Sequence, residues 1–146
     1  MGPKSRDVLA AVTKADLSNE GFAFGTGQTI DCGYATAMAN RMAYVGELGW
    51  ELIVPTEFMA GVYETVMQAT AAYGVRDAGY YVRDGLRLEK GFCAWSRELT
   101  PDIMPMQAGL SFAVDFDKPG GFVGMEALLA AKEDPTDLNR ASCSWS

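Results

Sequence analysis

The sequence predicts one α+β domain in which helices pack on an antiparallel sheet. First, its 146 residues, of which 49% are hydrophobic, are enough for one core, because a chain of this length buries roughly 70% of its extended surface. Second, a glycine-containing break beside a strand-like segment is typical of a β-hairpin, and hence of an antiparallel sheet. Third, helical and strand patterns alternate irregularly, which favours α+β over a doubly wound fold.

The first predicted element is a short helix within residues 2–12. Val8, Leu9 and Val12 recur at the spacing of one helical face, and a proline near the start suits the first turn. Three glycines then follow between residues 21 and 27, and they predict a turn or an irregular crossing. The Gly-Thr-Gly motif in this segment is too short to indicate a phosphate-binding loop.

A strand-like segment follows from residue 29 to residue 54, with a sharp break at residues 46–49. Beyond the break, apolar and polar residues alternate with the period of a half-buried strand until a proline ends it. If the loop is the four residues 46–49, Tyr44 lies opposite Glu51, with Cβ atoms about 5 Å apart on one face of the sheet. A different loop register would break this pairing.

Two helices are predicted next. The first begins with Thr56 as its N-cap and continues to about Tyr73, where Gly74 ends it. The second covers residues 78–90, with Gly91 in the left-handed capping position. Both contain apolar residues three or four apart, the spacing of one helical face.

The remainder of the chain is less regular. Prolines at 101 and 105 mark an irregular stretch, after which residues 110–114 alternate as a strand. Residues 117–121 are typical of a turn, and a last helix is predicted over residues 124–132. The residues expected to face inward from this helix are Met125, Leu128 and Leu129.

The composition argues against several functions. Acidic residues outnumber basic ones 19 to 12, for a net charge of −7, and the scattered basic residues disfavour binding to nucleic acid or to an anionic membrane. The chain has no histidine, which removes the commonest general base near neutral pH and the commonest metal ligand. Without a signal peptide or a run of about 18 apolar residues, we expect a soluble protein of the cytoplasm or an organelle matrix.

Other reactive groups indicate neither a metal site nor a nucleophile. Cys32, Cys93 and Cys143 are odd in number and far apart, which predicts neither a disulfide framework nor a zinc site. Cys93 follows a predicted helix cap, but no histidine is present to activate it, so we interpret all three cysteines as structural. Asp115 and Asp117 could suggest a divalent cation, although their setting favours a turn.

Glu51 is the sharpest candidate for chemistry. Its predicted position beside a tryptophan requires a partner, because an unpaired buried charge costs several kcal/mol. On one interpretation Glu51 is a solvated or arginine-paired residue of the sheet. On the other, its two oxygens accept hydrogen bonds from a ligand with adjacent N–H donors, such as a pterin ring or a guanidinium. Tyr44 would then supply a ring face or a hydroxyl.

Arg83 and Arg87 form a second constellation. They lie four residues apart on one helical face, and two guanidinium groups together can clamp a ligand that carries a carboxylate. The alternative is a network of ion pairs with nearby acids: Asp84, Glu89 or Glu98.

Five runs of sequence, taken in order and spacing, point to one family. They are Tyr44–Leu52 (YVGELGWEL), Arg83–Gly91 (RDGLRLEKG), Trp95–Pro101 (WSRELTP), Ala108–Leu110 (AGL) and Phe122–Leu128 (FVGMEAL). From Gly2 to about Trp145 the chain resembles the aminomethyltransferase, or glycine cleavage T-protein, family. Within that family it is most similar to the folate-binding part of sarcosine and dimethylglycine dehydrogenases.

The resemblance implies a one-carbon transfer module that binds tetrahydrofolate and takes up a formaldehyde-level carbon from an amine-derived donor. In that family the positions of Glu51 and Tyr44 contact the pterin and line its pocket, and the position of Arg83 reaches the folate site. No residue of this chain is assigned a catalytic or metal-binding role. The fold implied is a ferredoxin-like middle domain.

The family also implies partners. Its full-length members carry an upstream segment with an aspartate that assists the chemistry and a downstream β-barrel, and the dehydrogenases add an FAD domain. We therefore expect residues 1–146 to be one domain of a larger enzyme, inactive alone, with the other domains as partners and with self-association through exposed core. The chain also departs from the family at four single positions. Glycine is commoner at the position of Ser96, arginine at those of Cys93 and Met125, and glutamate at that of Gln107.

The leading hypothesis is a tetrahydrofolate-binding module that contributes part of the folate pocket. The alternative is a non-catalytic scaffold or interaction domain that keeps the fold without the ligand.

Overall fold

The computed structural model describes residues 1–133, which fall into two compact units, Met1–Leu86 and the described part of Arg87–Ser146. The first unit contains helix α1 (Ser5–Ala10), strands β1 (Gly27–Cys32), β2 (Ala35–Asn40) and β3 (Glu51–Ile53), a 3₁₀ turn (Thr56–Phe58) and helix α2 (Met59–Ala69). Helix α3 (Tyr80–Glu89) contains the boundary, and the second unit adds a 3₁₀ turn (Ser111–Ala113) and helix α4 (Met125–Glu133). The predicted α+β class is confirmed.

The sheet of the first unit is an antiparallel meander in the order β1-β2-β3. Strands β1 and β2 are joined by a two-residue turn, Gly33-Tyr34, and Gly33 has φ +62°. Glycine suits this position because a side chain rarely adopts positive φ.

The predicted hairpin around residues 46–49 is wrong in its register. In the β2–β3 ladder Asn40, not Tyr44, lies opposite Glu51, and residues 41–50 all belong to the connection. This connection is held elsewhere, because Gly2 donates its backbone N–H to the carbonyl of Leu48 at 2.8 Å. The polarity pattern cannot specify where pairing stops, since the four residues before Gly46 (42–45) are all apolar and do not alternate.

One face of the sheet is buried beneath α1 and α2. The residues that face this core from the strands are Ile30, Cys32, Ala35, Ala37, Ala39 and Leu52. Leu9 of α1 and Phe22 complete one cluster, and Val62 of α2 completes the other. The opposite face, which includes Met38 and Ile53, is exposed. Alternation along each strand thus separates a core face from an open face.

The helices of the first unit agree only partly with the prediction. Helix α1 and the irregular crossing that follows it are confirmed. Thr56 is not an N-cap, because it begins a 3₁₀ turn and its side chain makes no capping hydrogen bond. Helix α2 ends at Ala69 rather than near Tyr73, since the chain turns at Thr70 before it reaches Gly74, which has φ +69°.

The end of α3 is confirmed. Gly91 has φ +72°, and its N–H donates to the carbonyl of Leu88 at 2.9 Å. The N–H of Phe92 donates to the carbonyl of Arg87 at 2.9 Å. These two bonds form a Schellman cap, which satisfies carbonyls that the end of the helix leaves open.

The strand predicted at residues 110–114 is wrong. Residues 111–113 form a 3₁₀ turn with Phe112 86% exposed, because no strand is present among the described residues of this unit to pair with the segment. The turn at residues 117–121 and helix α4 are confirmed. Leu129 is exposed, so its predicted inward orientation is wrong.

Two cysteines lie within the described residues. Cys32 is a free, buried thiol. Cys93 is disulfide-bonded, which the spacing of the cysteines did not indicate. Cys143 lies outside the described residues. None of the helices within residues 1–133 is long and apolar enough to cross a membrane.

Candidate functional site

Tyr44 and Arg83 are brought together although 39 positions separate them in the chain. Tyr44 belongs to the connection between β2 and β3, and Arg83 lies on α3. The guanidinium carbon of Arg83 is 5.6 Å from the centre of the Tyr44 ring. This distance is within the range of a cation–π contact. Two of the three predicted site residues therefore contact each other.

The surroundings of Arg83 hold its guanidinium group. A second ring, that of Tyr80, has its centre 4.3 Å from the guanidinium carbon. Nη2 of Arg83 donates to Oδ1 of Asp84 at 3.1 Å. Nε is buried and has no hydrogen-bond partner within the part of the chain that the structure describes. The side chain nevertheless keeps 37% of its surface exposed, so it remains accessible to a ligand.

Glu51 lies at the start of β3 on the open face of the sheet. It is exposed and lies opposite Asn40. Among residues 1–133 no hydrogen bond or ion pair joins its carboxylate to Tyr44 or to Arg83. The structure therefore does not support the predicted cross-strand pair of Glu51 and Tyr44. An exposed carboxylate has both oxygens available as acceptors.

Tyr80 was missed by the reasoning from sequence. It lies three residues before Arg83, and residues three apart face the same side of a helix. This spacing was a usable signal, because an aromatic residue one turn away from an arginine can cover its guanidinium. The adjacent Tyr81 has 95% of its surface exposed and makes no ring contact with Arg83.

Arg87 belongs to an ion pair in the second unit and not to a ligand clamp. Its side chain is buried and donates from Nη1 to Glu98 Oε2 at 3.1 Å and to the carbonyl of Phe92 at 2.8 Å. Glu98 also accepts a hydrogen bond from the backbone N–H of Ala94 at 2.7 Å. This is the network that the sequence offered as the alternative to a clamp.

The electrostatics of Glu98 follow from these contacts. Partial desolvation opposes ionisation of the carboxyl group, but the N–H of Ala94 and the guanidinium of Arg87 outweigh it and lower the pKa of Glu98. Glu98 is therefore held as the carboxylate that buried Arg87 requires.

The remaining candidates have structural roles. Asp115 accepts a hydrogen bond from the backbone N–H of Asp117 at 3.1 Å, as expected of a turn. Burial raises the pKa of the Cys32 thiol, which disfavours the reactive thiolate. Within residues 1–133 no group of three or more Cys, Asp or Glu side chains is arranged to hold a metal ion.

A cavity of about 350 Å³ lies on the core side of the first unit. Its lining comes from residues 1–9, from Trp50 and Leu52, and from the end of α2 through Val75, and it is largely apolar. None of Glu51, Tyr44 or Arg83 lines it. The cavity and the candidate site residues are therefore separate features of this unit.

Comparison with known proteins gives the family. The model of the GCVT N-terminal domain matches residues 1–118. The chain is 45% identical to mitochondrial sarcosine dehydrogenase of Mus musculus over 139 aligned residues. This alignment covers 95% of the chain and 15% of the dehydrogenase. It is 40% identical to mitochondrial dimethylglycine dehydrogenase of the same species over 133 aligned residues, which are 91% of the chain and 15% of that dehydrogenase. The chain is 39% identical to an aminomethyltransferase of Caldanaerobacter subterraneus subsp. tengcongensis over 132 aligned residues. These residues are 90% of the chain and 35% of the aminomethyltransferase.

The lengths of these relatives differ greatly from that of the chain. The chain spans about one seventh of the two dehydrogenases and about one third of the aminomethyltransferase.

Proposed function

The chain belongs to the GCVT N-terminal domain family, and on this basis we propose that it is a tetrahydrofolate-binding module for one-carbon transfer. It contributes part of a folate pocket and works as one domain of a longer enzyme. The carbon comes from an amine-derived donor, as the names of the sarcosine and dimethylglycine dehydrogenases among its relatives suggest. The compartment proposed is the cytoplasm or an organelle matrix.

The contact between Tyr44 and Arg83 is the observation that carries this proposal. The two residues come from different motifs of the family resemblance. The distance of 5.6 Å between the guanidinium carbon of Arg83 and the centre of the Tyr44 ring supports a common site. Each has a suitable chemical role: the tyrosine ring offers an apolar face to a planar ligand, and the guanidinium offers donors to an anionic group.

Glu51 supplies the complementary acceptor in this proposal. Its carboxylate is exposed, and no group in the described residues competes for its oxygens. A pterin carries adjacent N–H donors that match two carboxylate oxygens. Charge-assisted hydrogen bonds of this type contribute about 1.5–3 kcal/mol.

Calorimetric titration with tetrahydrofolate tests the proposal. The protein used is the product of the complete reading frame that contains these residues. We expect Glu51→Gln to weaken binding about 10- to 150-fold, the equivalent of about 1.5–3 kcal/mol. Glu57→Gln is the matched control, because Glu57 is also an exposed glutamate of the first unit. Unchanged affinity in Glu51→Gln removes this residue from the site, and no binding by the wild type refutes the function.

A non-catalytic scaffold or interaction domain is the second candidate. It is favoured by the separation of the cavity from Glu51, Tyr44 and Arg83, because a ligand pocket is normally concave and largely enclosed. The same titration decides between the two functions, since a scaffold has no affinity for tetrahydrofolate.

Partners follow from the proposed function. Besides the folate and the amine-derived donor, they are the other domains of the same enzyme. Self-association is also proposed, because Arg87 is the only buried residue among residues 87–133 whereas Phe112 and Val123 are exposed. Sedimentation velocity over a range of concentrations tests this, and a strictly monomeric protein contradicts it.

A further inference from the structure

We propose that Tyr80 is a positioning residue of the folate site, which holds the Arg83 guanidinium against Tyr44 and directs its edge towards a carboxylate of the ligand. The inference rests on the proposed function and assigns a role to a residue outside the motifs of the resemblance.

The geometry around Arg83 is that of a cation between two rings. The guanidinium carbon is 4.3 Å from the centre of the Tyr80 ring and 5.6 Å from that of Tyr44. Both distances are within about 6 Å, the limit for a favourable cation–π contact. Tyr80 is the closer of the two, and it comes from the same helix as Arg83, one turn earlier.

Burial does not account for the position of Tyr80. The residue keeps 75% of its surface exposed, so it contributes little to the core of its unit. The ring contact that it makes is with Arg83. An exposed ring that contacts a guanidinium acts mainly on that guanidinium.

Fixing the arginine has a consequence for binding. A free arginine side chain samples many rotamers, and part of this rotamer entropy is lost when a ligand immobilises it. The Tyr80 ring and the hydrogen bond to Asp84 restrict the guanidinium before the ligand arrives. Such preorganisation increases affinity without adding a contact to the ligand.

The class of ligand group follows from the part of Arg83 that remains accessible. Within residues 1–133 Nη2 of Arg83 donates one N–H to Asp84, which leaves its second N–H and the two of Nη1 to meet a ligand. Guanidinium N–H groups pair best with carboxylate or phosphate oxygens in the plane of the group. Tetrahydrofolate carries carboxylates on its glutamate tail, which we assign to Arg83, while Glu51 receives the pterin.

Three variants separate this role from a general structural one. Tyr80→Ala removes the ring, Tyr80→Phe keeps the ring without its hydroxyl, and Tyr81→Ala removes the adjacent exposed ring as a matched control. Each is titrated with tetrahydrofolate and with 6-methyltetrahydropterin, which keeps the reduced pterin but carries no carboxylate. The mobility of the Arg83 side chain is followed through its Nε–H signal by NMR.

We expect Tyr80→Ala to weaken tetrahydrofolate binding about two- to five-fold, the equivalent of one exposed cation–π contact. Affinity for 6-methyltetrahydropterin stays unchanged, and the Arg83 Nε–H becomes more mobile in this variant alone. Tyr80→Phe and Tyr81→Ala behave like the wild type.

Several outcomes overturn the inference. Equal losses for the two ligands indicate a general structural effect, and a loss in Tyr80→Phe assigns the role to the hydroxyl. Wild-type affinity in Tyr80→Ala shows that the ring positions nothing, although the proposed function stands. Failure of the wild type to bind either ligand overturns both the function and the inference.

Discussion

Asn40 of β2 lies directly opposite Glu51 of β3 on the open face of the sheet. The cross-strand neighbour of the glutamate is therefore a neutral amide, and no ion pair forms at this position among residues 1–133. Because β3 is only three residues long, the register of the β2–β3 ladder rests on few backbone hydrogen bonds. Side-chain pairs between the two strands provide a direct test of that register.

Asn40→Lys is expected to stabilise the protein by about 0.2–1 kcal/mol, because it places a positive charge opposite Glu51. The gain should disappear when Glu51→Gln is also present. Urea denaturation of the single and double variants measures this coupling as a double-mutant cycle.

Thr36→Lys is the control for this cycle. Thr36 is exposed and lies four residues before Asn40 on the same face of β2, opposite Asp31. A lysine at this position is too far along the strand to pair with Glu51, so its effect should be independent of Glu51→Gln. Coupling at position 36, or none at position 40, contradicts the observed register.

Local features of this fold were predictable from sequence, whereas pairings between distant segments were not. The cap at Gly91 depends on a few consecutive residues, and it was predicted correctly. The partner of Glu51 depends on where two strands meet, and the apolar run before the glycine break does not mark where pairing stops. The two-residue turn at Gly33 was missed because a single glycine in a strand-like run is a weak turn signal.

The candidate site shows the same division. Tyr80 and Arg83 are three residues apart on one helix, so their contact is readable from the sequence. The contact of Arg83 with Tyr44 requires the tertiary fold, and spacing alone could not predict it. Only the family resemblance linked those two residues beforehand, and it linked them by role rather than by contact.

Phe22→Ala is expected to destabilise the first unit by about 3–5 kcal/mol. Phe22 is fully buried, and its ring centre is 6.2 Å from that of Trp50, so the shorter side chain leaves a cavity in the core. Phe24→Ala is the matched control, because Phe24 is 79% exposed and its loss should change stability by less than about 0.5 kcal/mol. Urea denaturation followed by Trp fluorescence measures both effects, and similar losses contradict the assignment of Phe22 to the core.

The ion pair of Arg87 and Glu98 should make the second unit sensitive to acid. The pKa of Glu98 is lowered in the folded state, so the unfolded chain takes up the proton first as pH falls. The resulting stabilisation is complete above the ordinary pKa of a glutamate and is lost as pH falls through the lowered pKa. We expect the backbone N–H of Ala94, which donates to Glu98, to exchange faster over this range.

Glu98→Gln should remove that pH dependence and should also take away the carboxylate that pairs with buried Arg87. Breaking a buried ion pair by removing one partner costs up to about 3–5 kcal/mol. Glu98 is suited to this test because its side chain is only 11% exposed, whereas Glu89 is exposed and serves as the control in Glu89→Gln. Hydrogen exchange at Ala94 measures both variants. An acid response that survives in Glu98→Gln shows that a different group is responsible.

Ser96→Gly is expected to stabilise the protein by about 0.5–1 kcal/mol. Ser96 has φ +66°, the only positive φ of a residue other than glycine among residues 1–133. The left-handed conformation costs a residue with a Cβ atom about 1–2 kcal/mol, and glycine avoids this cost. Glycine loses more conformational entropy on folding, which reduces the gain by about 0.5–1 kcal/mol. Gly91→Ala, at φ +72°, should have the opposite sign and lose about 1 kcal/mol. Denaturant midpoints measure both variants. A loss of stability in Ser96→Gly would show that the serine hydroxyl contributes more than the backbone strain costs.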